Sequence, residues 1–296
     1  MTIVCIGKAG QVATALAERA KVRGAALTCL GRQALDLLEP SKIYESLRTA
    51  APRFVVNAAA YTQVDAAESH KDTAFELNAT APGVLAQACV DLGVPLLHIS
   101  TDYVFDGQAD QPYREDDPTG PLNVYGRSKL AGEQAVRAAL SQHIILRTSW
   151  IYGPHNPNFV TTMLRLAREE GRASVVNDQI GAPTSALELA DAILTIATQI
   201  LETPASKQFG IFHFTASGAC SWAEFAALIF SYYDKYMNCT THLEAIPSSD
   251  YPTPARRPMN SRLATDKIEN VYGITPKDWT IGVAETVTRL LNTGER

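Results

Sequence analysis

Short apolar runs alternate with stretches of helical periodicity through the first half of the 296-residue chain. After the first run, for example, apolar residues recur at Val12, Leu16 and Ala20 with the spacing of one helix face. Strands that alternate with helices form βαβ units, in which helices cover both faces of a parallel sheet. Strands are predicted at residues 2–6, 27–30, 54–57, 96–100 and 144–148. The pattern therefore predicts an α/β fold, a doubly wound parallel sheet whose ligands bind beyond the carboxyl ends of the strands.

The composition excludes several classes of protein. With 46% hydrophobic and 19% charged residues, the chain resembles a packed globule rather than a disordered protein. The net charge of −5 and the absence of long runs of like charge make nucleic acid and membrane unexpected partners. The start of the chain runs directly into a strand, so no signal peptide is expected. The 5 cysteines form no CxxC pair and the histidines show no metal-ligand spacing, which favours a reducing, cytoplasmic location and no metal site.

A glycine-containing loop, Gly7-Lys-Ala-Gly10-Gln-Val-Ala13, joins the first strand to the first helix. Gly7 permits a tight turn, and Gly10 lets the backbone approach a pyrophosphate at the helix N-terminus. Ala13 stands where a third glycine usually allows the helix to pack closely on the strand. The loop therefore predicts a dinucleotide site, and an ordinary βα turn is the alternative interpretation.

The end of the second strand bears on which dinucleotide binds. The acidic residue that usually binds the adenosine ribose is missing there, and Gly31-Arg32 takes its place. Because a guanidinium can pair with a 2′-phosphate, Arg32 favours NADPH over NADH, although a solvated surface arginine fits the pattern about equally well. Asp36 and Leu37 are further candidates for contact with the adenine.

The second half of the chain is less regular, and its helical patterns are separated by loops rich in Pro, Gly and Asn. The prolines of residues 251–258 exclude both a helix and a central strand. We expect a Rossmann-type NAD(P)-binding domain at residues 1–149. A smaller, mixed α/β substrate domain is expected at residues 150–296, with a segment at about 157–205 that returns to the first domain.

The strongest chemical signal is Tyr125-Gly-Arg-Ser-Lys129, which lies in a predicted helix. Residues four apart share a helix face, so Lys129 can place a positive charge beside the phenol and hold a nicotinamide ribose. Thr101 follows a predicted strand at its carboxyl end, where its hydroxyl can complete a proton relay with Tyr125. A surface Tyr–Lys pair is the alternative, but it does not explain the order of glycine loop, strand-end Thr101 and YxxxK.

Together these motifs resemble the extended short-chain dehydrogenase/reductases and, more narrowly, the dTDP-4-dehydrorhamnose reductase family. YxxxK marks only the wider group, whereas Arg-Thr-Ser-Trp and Asn-Asp-Gln-x-Gly-x-Pro-Thr are more restrictive. The narrower resemblance rests on residues 7–12, 56–62, 64–65, 67–68, 100–105, 121–126, 147–152, 177–184 and 251–262. It therefore covers nearly the whole chain.

The resemblance implies that NADPH reduces the C4 keto group of dTDP-4-dehydro-β-L-rhamnose, the last step of dTDP-L-rhamnose biosynthesis. Tyr125 would donate the proton, Thr101 would tune Tyr125 or bind the same oxygen, and Lys129 would orient the ribose. Cofactor contacts are implied for Gly10, Gln11, Val12, Ala60, Tyr61 and Thr62. Sugar-nucleotide contacts are implied for Thr101, Asp102, Trp150, Asn177, Gln179 and Arg257. Arg257 is preferred to Arg256 because it occupies the Arg-Pro position of the family motif.

Several alternatives stay open at this stage. A sibling sugar-nucleotide reductase, epimerase or dehydratase would carry the same glycine loop and YxxxK. A non-catalytic regulatory subunit, such as the β subunit of methionine adenosyltransferase, resembles these reductases too. Asn57 can cap a loop or touch the cofactor, and His98, within an apolar strand, is expected to be a core histidine. The family sometimes forms homodimers through Mg²⁺, for which no matching carboxylates are found, and NADH or a UDP-sugar is not excluded.

Overall fold

The computed structural model describes residues 2–203 and 208–293. The strands are β1 (Ile3–Ile6), β2 (Leu27–Leu30), β3 (Phe54–Asn57), β4 (Leu96–Thr101), β5 (His143–Thr148), β6 (Ile151–Tyr152), β7 (Arg172–Val176), β8 (Ile180–Gly181), β9 (Thr184–Ser185), β10 (Gly210–His213), β11 (Cys220–Ser221) and β12 (His242–Ile246). The helices are α1 (Gln11–Arg23), α2 (Pro40–Ala50), α3 (Val64–Ala67), α4 (Lys71–Phe75), α5 (Ala81–Leu92), α6 (Val124–Ala139), α7 (Phe159–Glu169), α8 (Ala186–Glu202), α9 (Trp222–Met237), α10 (Asp266–Tyr272) and α11 (Trp279–Thr293).

Six parallel strands form the central sheet in the order β10-β5-β4-β3-β1-β2. The chain order reverses at β1, because β2 pairs on one side of β1 and β3 pairs on the other. Loops that leave β1 and β3 therefore diverge and open a crevice at the carboxyl ends of the strands. The prediction of a Rossmann-type doubly wound sheet is confirmed.

Helices cover both faces of this sheet, so its central strands β1 and β3 are buried on both sides. Along β1, Ile3 and Cys5 face the cluster that contains α1 and α8, whereas Val4 and Ile6 face the cluster that contains α2 and α5. The alternation explains why the strands are continuously apolar in sequence. The helix α1 follows β1 directly in the chain, so its N-terminus lies beside the crevice.

A separate apolar cluster joins α7, α9 and α11 with β7. The helix α7 lies in this cluster. Within the segment at about 157–205 that is expected to return to the first domain, α8 packs on α1, and later in the chain β10 pairs with β5. An apolar face on α8 and an unpaired edge on β5 account for that return. The domain division near residue 150 stays a prediction.

A π-helical turn at Glu76–Thr80 connects α4 to α5. Inside this turn the amide of Asn78 bonds both backbone groups of Tyr61, at 2.8 and 3.0 Å. A Cβ on Gly132 of α6 would lie 1.9 Å from the Asn78 carbonyl oxygen, so only glycine allows this approach. The turn and Gly132 together set the distance between α6 and the loop after β3.

The described residues offer neither a membrane-spanning helix nor a cluster of metal ligands. None of the helices in residues 2–203 and 208–293 has the length and apolarity needed to cross a membrane. Over the same ranges, no group of three or more His, Cys, Asp or Glu is arranged to hold a metal ion. The Mg²⁺ that the family resemblance allows therefore gains no support from this structure.

Candidate active site

A cavity of about 750 Å³ opens at the carboxyl ends of β1 and β3. Its walls come from the glycine loop, the segment after β2 and the segment after β3. The cavity brings together several residues that the sequence predicted for the cofactor: Gly7, Arg32, Asp36, Leu37 and Ala60. It also contains Lys8 and Cys29, which were not predicted.

The glycine loop has the shape that a dinucleotide requires. Gly7 adopts φ +115°, a conformation that favours glycine and that other residues rarely adopt. Gly10 precedes α1 in extended conformation, with open space beside its Cα, and Val12 is buried behind it. The side-chain oxygen of Gln11 is buried and has no hydrogen-bond partner among the described residues. The N-terminus of α1 has no side-chain cap, so its backbone N–H groups can donate to a bound pyrophosphate.

Arg32 lies at the mouth of the same cavity. Its Nε donates to Asp36 at 2.9 Å, and its side chain remains 77% exposed. The pKa of Asp36 is lowered by the Leu38 backbone N–H and by Arg32. Leu37 is buried beneath the loop. Arg32 is therefore oriented but still open to solvent, so its role stays a prediction.

The segment after β3 is held by side chains from outside it. Ala60 reaches the cavity, whereas the Tyr61 hydroxyl lies 2.9 Å from Nδ1 of His70 and Thr62 is exposed. Asn57 ends β3, and its Oδ1 accepts from the Ala59 N–H at 3.2 Å. Asn57 therefore caps this loop, which is one of its two expected roles.

Tyr125 and Lys129 lie on one face of α6, as predicted. Asn123 caps the helix by accepting from the Gly126 N–H at 2.8 Å, and Gly126 is obligatory because a Cβ would lie 2.2 Å from the Tyr103 carbonyl oxygen. Burial raises the pKa of Tyr125, and a hydrogen bond with the Thr101 side chain opposes that rise. The first turn of α6 therefore places a protonated phenol at the carboxyl end of β4.

Asp102 follows Thr101 and is almost completely buried. The Thr101 hydroxyl donates to Asp102 Oδ1 at 3.0 Å. Burial raises the pKa of Asp102 to about 6, against hydrogen bonds from Ser261 and Thr101 that lower it. Tyr125, Thr101 and Asp102 form a continuous polar group at the end of the strand.

Lys129 extends from α6 onto β4 and is only 2% exposed. Its Nζ donates to the Ile99 carbonyl at 2.6 Å and lies 3.3 Å from Nε2 of His98. Burial lowers the pKa of Lys129 to about 8. His98 is fully buried, as expected of a core histidine, but it contacts Lys129 rather than only apolar side chains.

A second cavity of about 760 Å³ lies between the sheet and the α7–α9 cluster. Tyr103 lines it and packs edge-to-face on Tyr125, with ring centroids 5.6 Å apart. Of the predicted substrate residues, Gln179 and Arg257 line this cavity. Trp150 stacks on Trp222, with centroids 3.6 Å apart, and Trp222 is the tryptophan that lines the cavity.

The two neighbouring arginines of the proline-rich segment have different surroundings. Arg257 makes a forked ion pair with Asp65 of α3, at 2.6 and 2.9 Å. Arg256 is exposed on the same cavity and has no ion pair within residues 2–203 and 208–293. The Arg256 carbonyl accepts from the Asn123 side chain at 2.8 Å, which ties this segment to the start of α6.

Comparison with known proteins places these features in a family. The family model described as the RmlD substrate binding domain matches residues 1–292. The chain is 47% identical over 295 residues to a dTDP-4-dehydrorhamnose reductase of Sinorhizobium fredii, with 100% of this chain and 99% of that protein covered. The chain belongs to the dTDP-4-dehydrorhamnose reductase family.

Solved structures agree with this membership. A dTDP-4-dehydrorhamnose reductase of Clostridium acetobutylicum matches with TM-score 0.90 and 34% identity, over 98% of this chain and 99% of that one. A dTDP-4-dehydrorhamnose reductase of Bacillus anthracis, solved in complex with NADP, matches with TM-score 0.89 and 32% identity, over 97% and 99%. The resemblance inferred from the motifs is confirmed.

Sequence reasoning missed three residues of this candidate site, namely Trp222, Asp65 and His98. Trp222 lies far from every motif, and no local pattern marks it. Asp65 belongs to one of the stretches that carried the resemblance, but its pairing with Arg257 spans 192 residues. His98 carried a usable signal, because a histidine two residues before the strand-end Ser-Thr shares a strand face with Ser100 and is poorly suited to an apolar core.

Proposed function

We propose that this protein reduces the C4 keto group of dTDP-4-dehydro-β-L-rhamnose with NADPH, giving dTDP-β-L-rhamnose. One observation carries the proposal: the Tyr125 phenol stands at the end of β4, above the buried Lys129 and against Tyr103 of the second cavity. Membership of the dTDP-4-dehydrorhamnose reductase family supports the same reaction and sugar.

The first cavity is suited to NADPH. The pyrophosphate would meet the backbone of Gly10, Gln11 and Val12 at the N-terminus of α1. Arg32 would pair with the 2′-phosphate, and Lys129 with Tyr125 would hold the nicotinamide ribose. The open space at Gly10 and the uncapped N-terminus of α1 support the placement of the pyrophosphate. When bound, NADPH supplies the hydride for the reduction.

The chain itself supplies the proton. Burial keeps the Tyr125 phenol protonated, so that it can donate to the C4 oxygen as negative charge develops there. Thr101 links the phenol to the Asp102 carboxylate. In this position it would hold the Tyr125 hydroxyl beside the C4 oxygen of the substrate. A positioned acid of this kind contributes roughly 10²–10⁴-fold in rate.

The second cavity would take the sugar nucleotide. Thr101 and Asp102 would contact the sugar, and Gln179 would line the cavity beside the nucleotide. Trp222, with Trp150 stacked on its ring, would form one wall of the cavity. The diphosphate needs a cation, and Arg256 is available on this cavity. We assign Arg257 mainly to holding the loop through Asp65, because its donor fork is already bound there. Asn177 is exposed, and a direct contact to substrate stays a prediction.

The test replaces Tyr125 by Phe, with Tyr44→Phe on the exposed face of α2 as control. Tyr125→Phe is expected to lose at least about 100-fold in kcat while the Kd for NADPH rises only slightly, because Lys129 and the glycine loop still hold the cofactor. NADPH oxidation is followed by absorbance and binding by fluorescence titration. Activity within a factor of about two of wild type would contradict the proposal.

The same assay separates the alternatives. Product stereochemistry at C4 distinguishes this reductase from a sibling reductase or epimerase of the same fold. A purified protein that binds NADPH but leaves every 4-keto sugar-nucleotide unchanged would be a regulatory subunit instead. NADH and UDP-sugars are assayed in parallel, which measures the preference for the cofactor and for the nucleotide of the substrate.

A further inference from the structure

Two free thiols lie side by side at the end of the sheet where the first cavity opens. Cys5 of β1 and Cys29 of β2 are direct partners in the parallel register. Both belong to the sheet face that carries α1 and α8, where Cys5 lies in the apolar cluster and Cys29 packs against it. Neighbouring strands lie about 4.8 Å apart, and disulfides join Cα atoms that are roughly 4.4–6.8 Å apart. The pair therefore meets the Cα spacing of a disulfide.

Cys29 is the accessible member of the pair. It is half-buried and lines the first cavity, whereas Cys5 is fully buried. Lys8 lines the same cavity, and its Cβ lies 3.2 Å from the position that a Cβ of Gly31 would take, just after β2. A small oxidant that enters this cavity therefore reaches Cys29 before Cys5, close to a positive charge.

The surroundings make Cys29 the nucleophile of the pair. A hydrogen bond with the Cys5 thiol lowers the pKa of Cys29, burial opposes this, and the charge of Lys8 lowers the pKa further. The same hydrogen bond, together with burial, raises the pKa of Cys5 well above its ordinary value. Because the thiolate is the form that attacks oxidants, Cys29 reacts first while Cys5 stays a thiol.

The other cysteines have surroundings that disfavour the thiolate. Burial raises the pKa of Cys89 and that of Cys220 to about 12. Cys239 is exposed, but its Sγ donates to Oδ1 of Asp234 at 3.4 Å. Desolvation and this carboxylate raise the pKa of Cys239. Cys239 is therefore an exposed thiol of low reactivity, which makes it a control for exposure alone.

We propose that Cys29 and Cys5 form an oxidant-sensitive dithiol beside the cofactor cavity, with a hydroperoxide as the oxidant. The Cys29 thiolate attacks one peroxide oxygen, the O–O bond breaks, and the other oxygen leaves as hydroxide and takes up a proton. Cys29 then carries a sulfenic acid. The Cys5 sulfur attacks it, so that an S–S bond replaces the S–O bond and the hydroxyl leaves with the Cys5 proton as water. The two thiols lose two electrons, and the hydroperoxide gains them.

The position of the pair connects its oxidation to the cofactor. A disulfide brings two Cβ atoms to about 3.5–4.5 Å, which is closer than the strand spacing, so the ends of β1 and β2 must shift against each other. The Gly7 N–H donates to the Leu30 carbonyl at 2.8 Å, directly beyond the two cysteines. The glycine loop should therefore move with β2, and so should Arg32. The consequence for NADPH rests on the proposed function, which places NADPH in this cavity.

The first test treats the full-length protein with hydrogen peroxide in the absence of cofactor. After free thiols are blocked with iodoacetamide, trypsin releases Cys5 in residues 1–8, Cys29 in residues 24–32 and Cys239 in residues 236–256. Mass spectrometry is expected to show residues 1–8 linked to residues 24–32, and dithiothreitol should reverse the link. Residues 236–256 should stay reduced at the same dose. Oxidation of Cys239 before Cys29 would overturn the proposal.

The second test adds NADPH. At about 100 times its Kd, NADPH leaves roughly 1% of the protein free, so it should slow the oxidation of Cys29 at least about tenfold. The oxidised protein should bind NADPH with a Kd raised roughly three- to tenfold, and dithiothreitol should restore it. Peroxide should leave the Kd of Cys29→Ser unchanged and raise that of Cys239→Ser as in wild type. In Cys5→Ala the sulfenic acid should persist, and dimedone should trap it on residues 24–32.

The outcomes separate the dithiol from general oxidative damage. An equal effect of peroxide on NADPH binding in wild type and in Cys29→Ser would overturn the proposal. An oxidation of Cys29 that NADPH does not slow would overturn it as well, and this measurement needs only the wild-type protein. If the wild type does not bind NADPH, the function proposed above fails, while the linked peptides still decide whether Cys5 and Cys29 form the dithiol.

Discussion

The buried ion pair between Glu133 and Arg147 fixes the active-site helix to the sheet and allows a quantitative prediction. The two side chains are 1% and 3% exposed, and they form a fork with distances of 2.9 and 2.7 Å. Ser100 donates to the same carboxylate at 2.6 Å. Removing one member leaves the other charge without its partner in the core, which costs about 3–5 kcal/mol. That is a large part of the ~5–15 kcal/mol that stabilises a typical domain.

Each single variant leaves one charge in the core without its partner. Glu133→Gln leaves the Arg147 guanidinium, and Arg147→Met leaves the Glu133 carboxylate with its hydrogen bond from Ser100. Both variants should therefore lose stability.

Urea unfolding followed by far-UV circular dichroism measures these effects. The double variant Glu133→Gln/Arg147→Met removes both charges. Its loss in the free energy of unfolding should be about 2–3 kcal/mol smaller than the sum of the losses in the two single variants. Single losses below about 1 kcal/mol, or losses that add, would refute the reasoning that this pair is desolvated and mutually dependent.

Three further perturbations test other parts of the structure. Arg32→Ala should raise the KM for NADPH about tenfold and leave the KM for NADH nearly unchanged, as measured by steady-state kinetics. An equal rise in both KM values would exclude a contact between Arg32 and the 2′-phosphate. The hydrogen bond from Arg289 lowers the pKa of Glu18 to about 2. Above pH 4.5 this ion pair should stabilise the fold by roughly 1–3 kcal/mol, and that stabilisation should disappear as the pH falls toward about 2. Urea midpoints that change with pH in the same way in wild type and in Glu18→Gln would contradict this. Gly132→Ala should destabilise by at least ~1–3 kcal/mol, because its Cβ would meet the Asn78 carbonyl at 1.9 Å, and a wild-type melting temperature would show that α6 can move away.

The sequence by itself determined the architecture and the chemical centre. The strands and helices are set by local apolar periodicity, and the glycine loop by the turn that it must make, so each could be predicted from neighbours in the chain. The same holds for Tyr125 and Lys129, since a spacing of four on any helix places both side chains on one face. Thr101 followed from its position at the end of a buried strand.

The tertiary structure alone decided which partners these residues meet. Arg256 and Arg257 are equivalent by type, and only the folded position of Asp65 shows that one of them is already bound. Trp222 rather than Trp150 lines the second cavity for a similar reason. Contacts between residues that are far apart in the sequence depend on how the whole molecule packs and excludes water. The type of a residue shows which partners it can bind, but it does not show which residue will lie beside it in the folded protein.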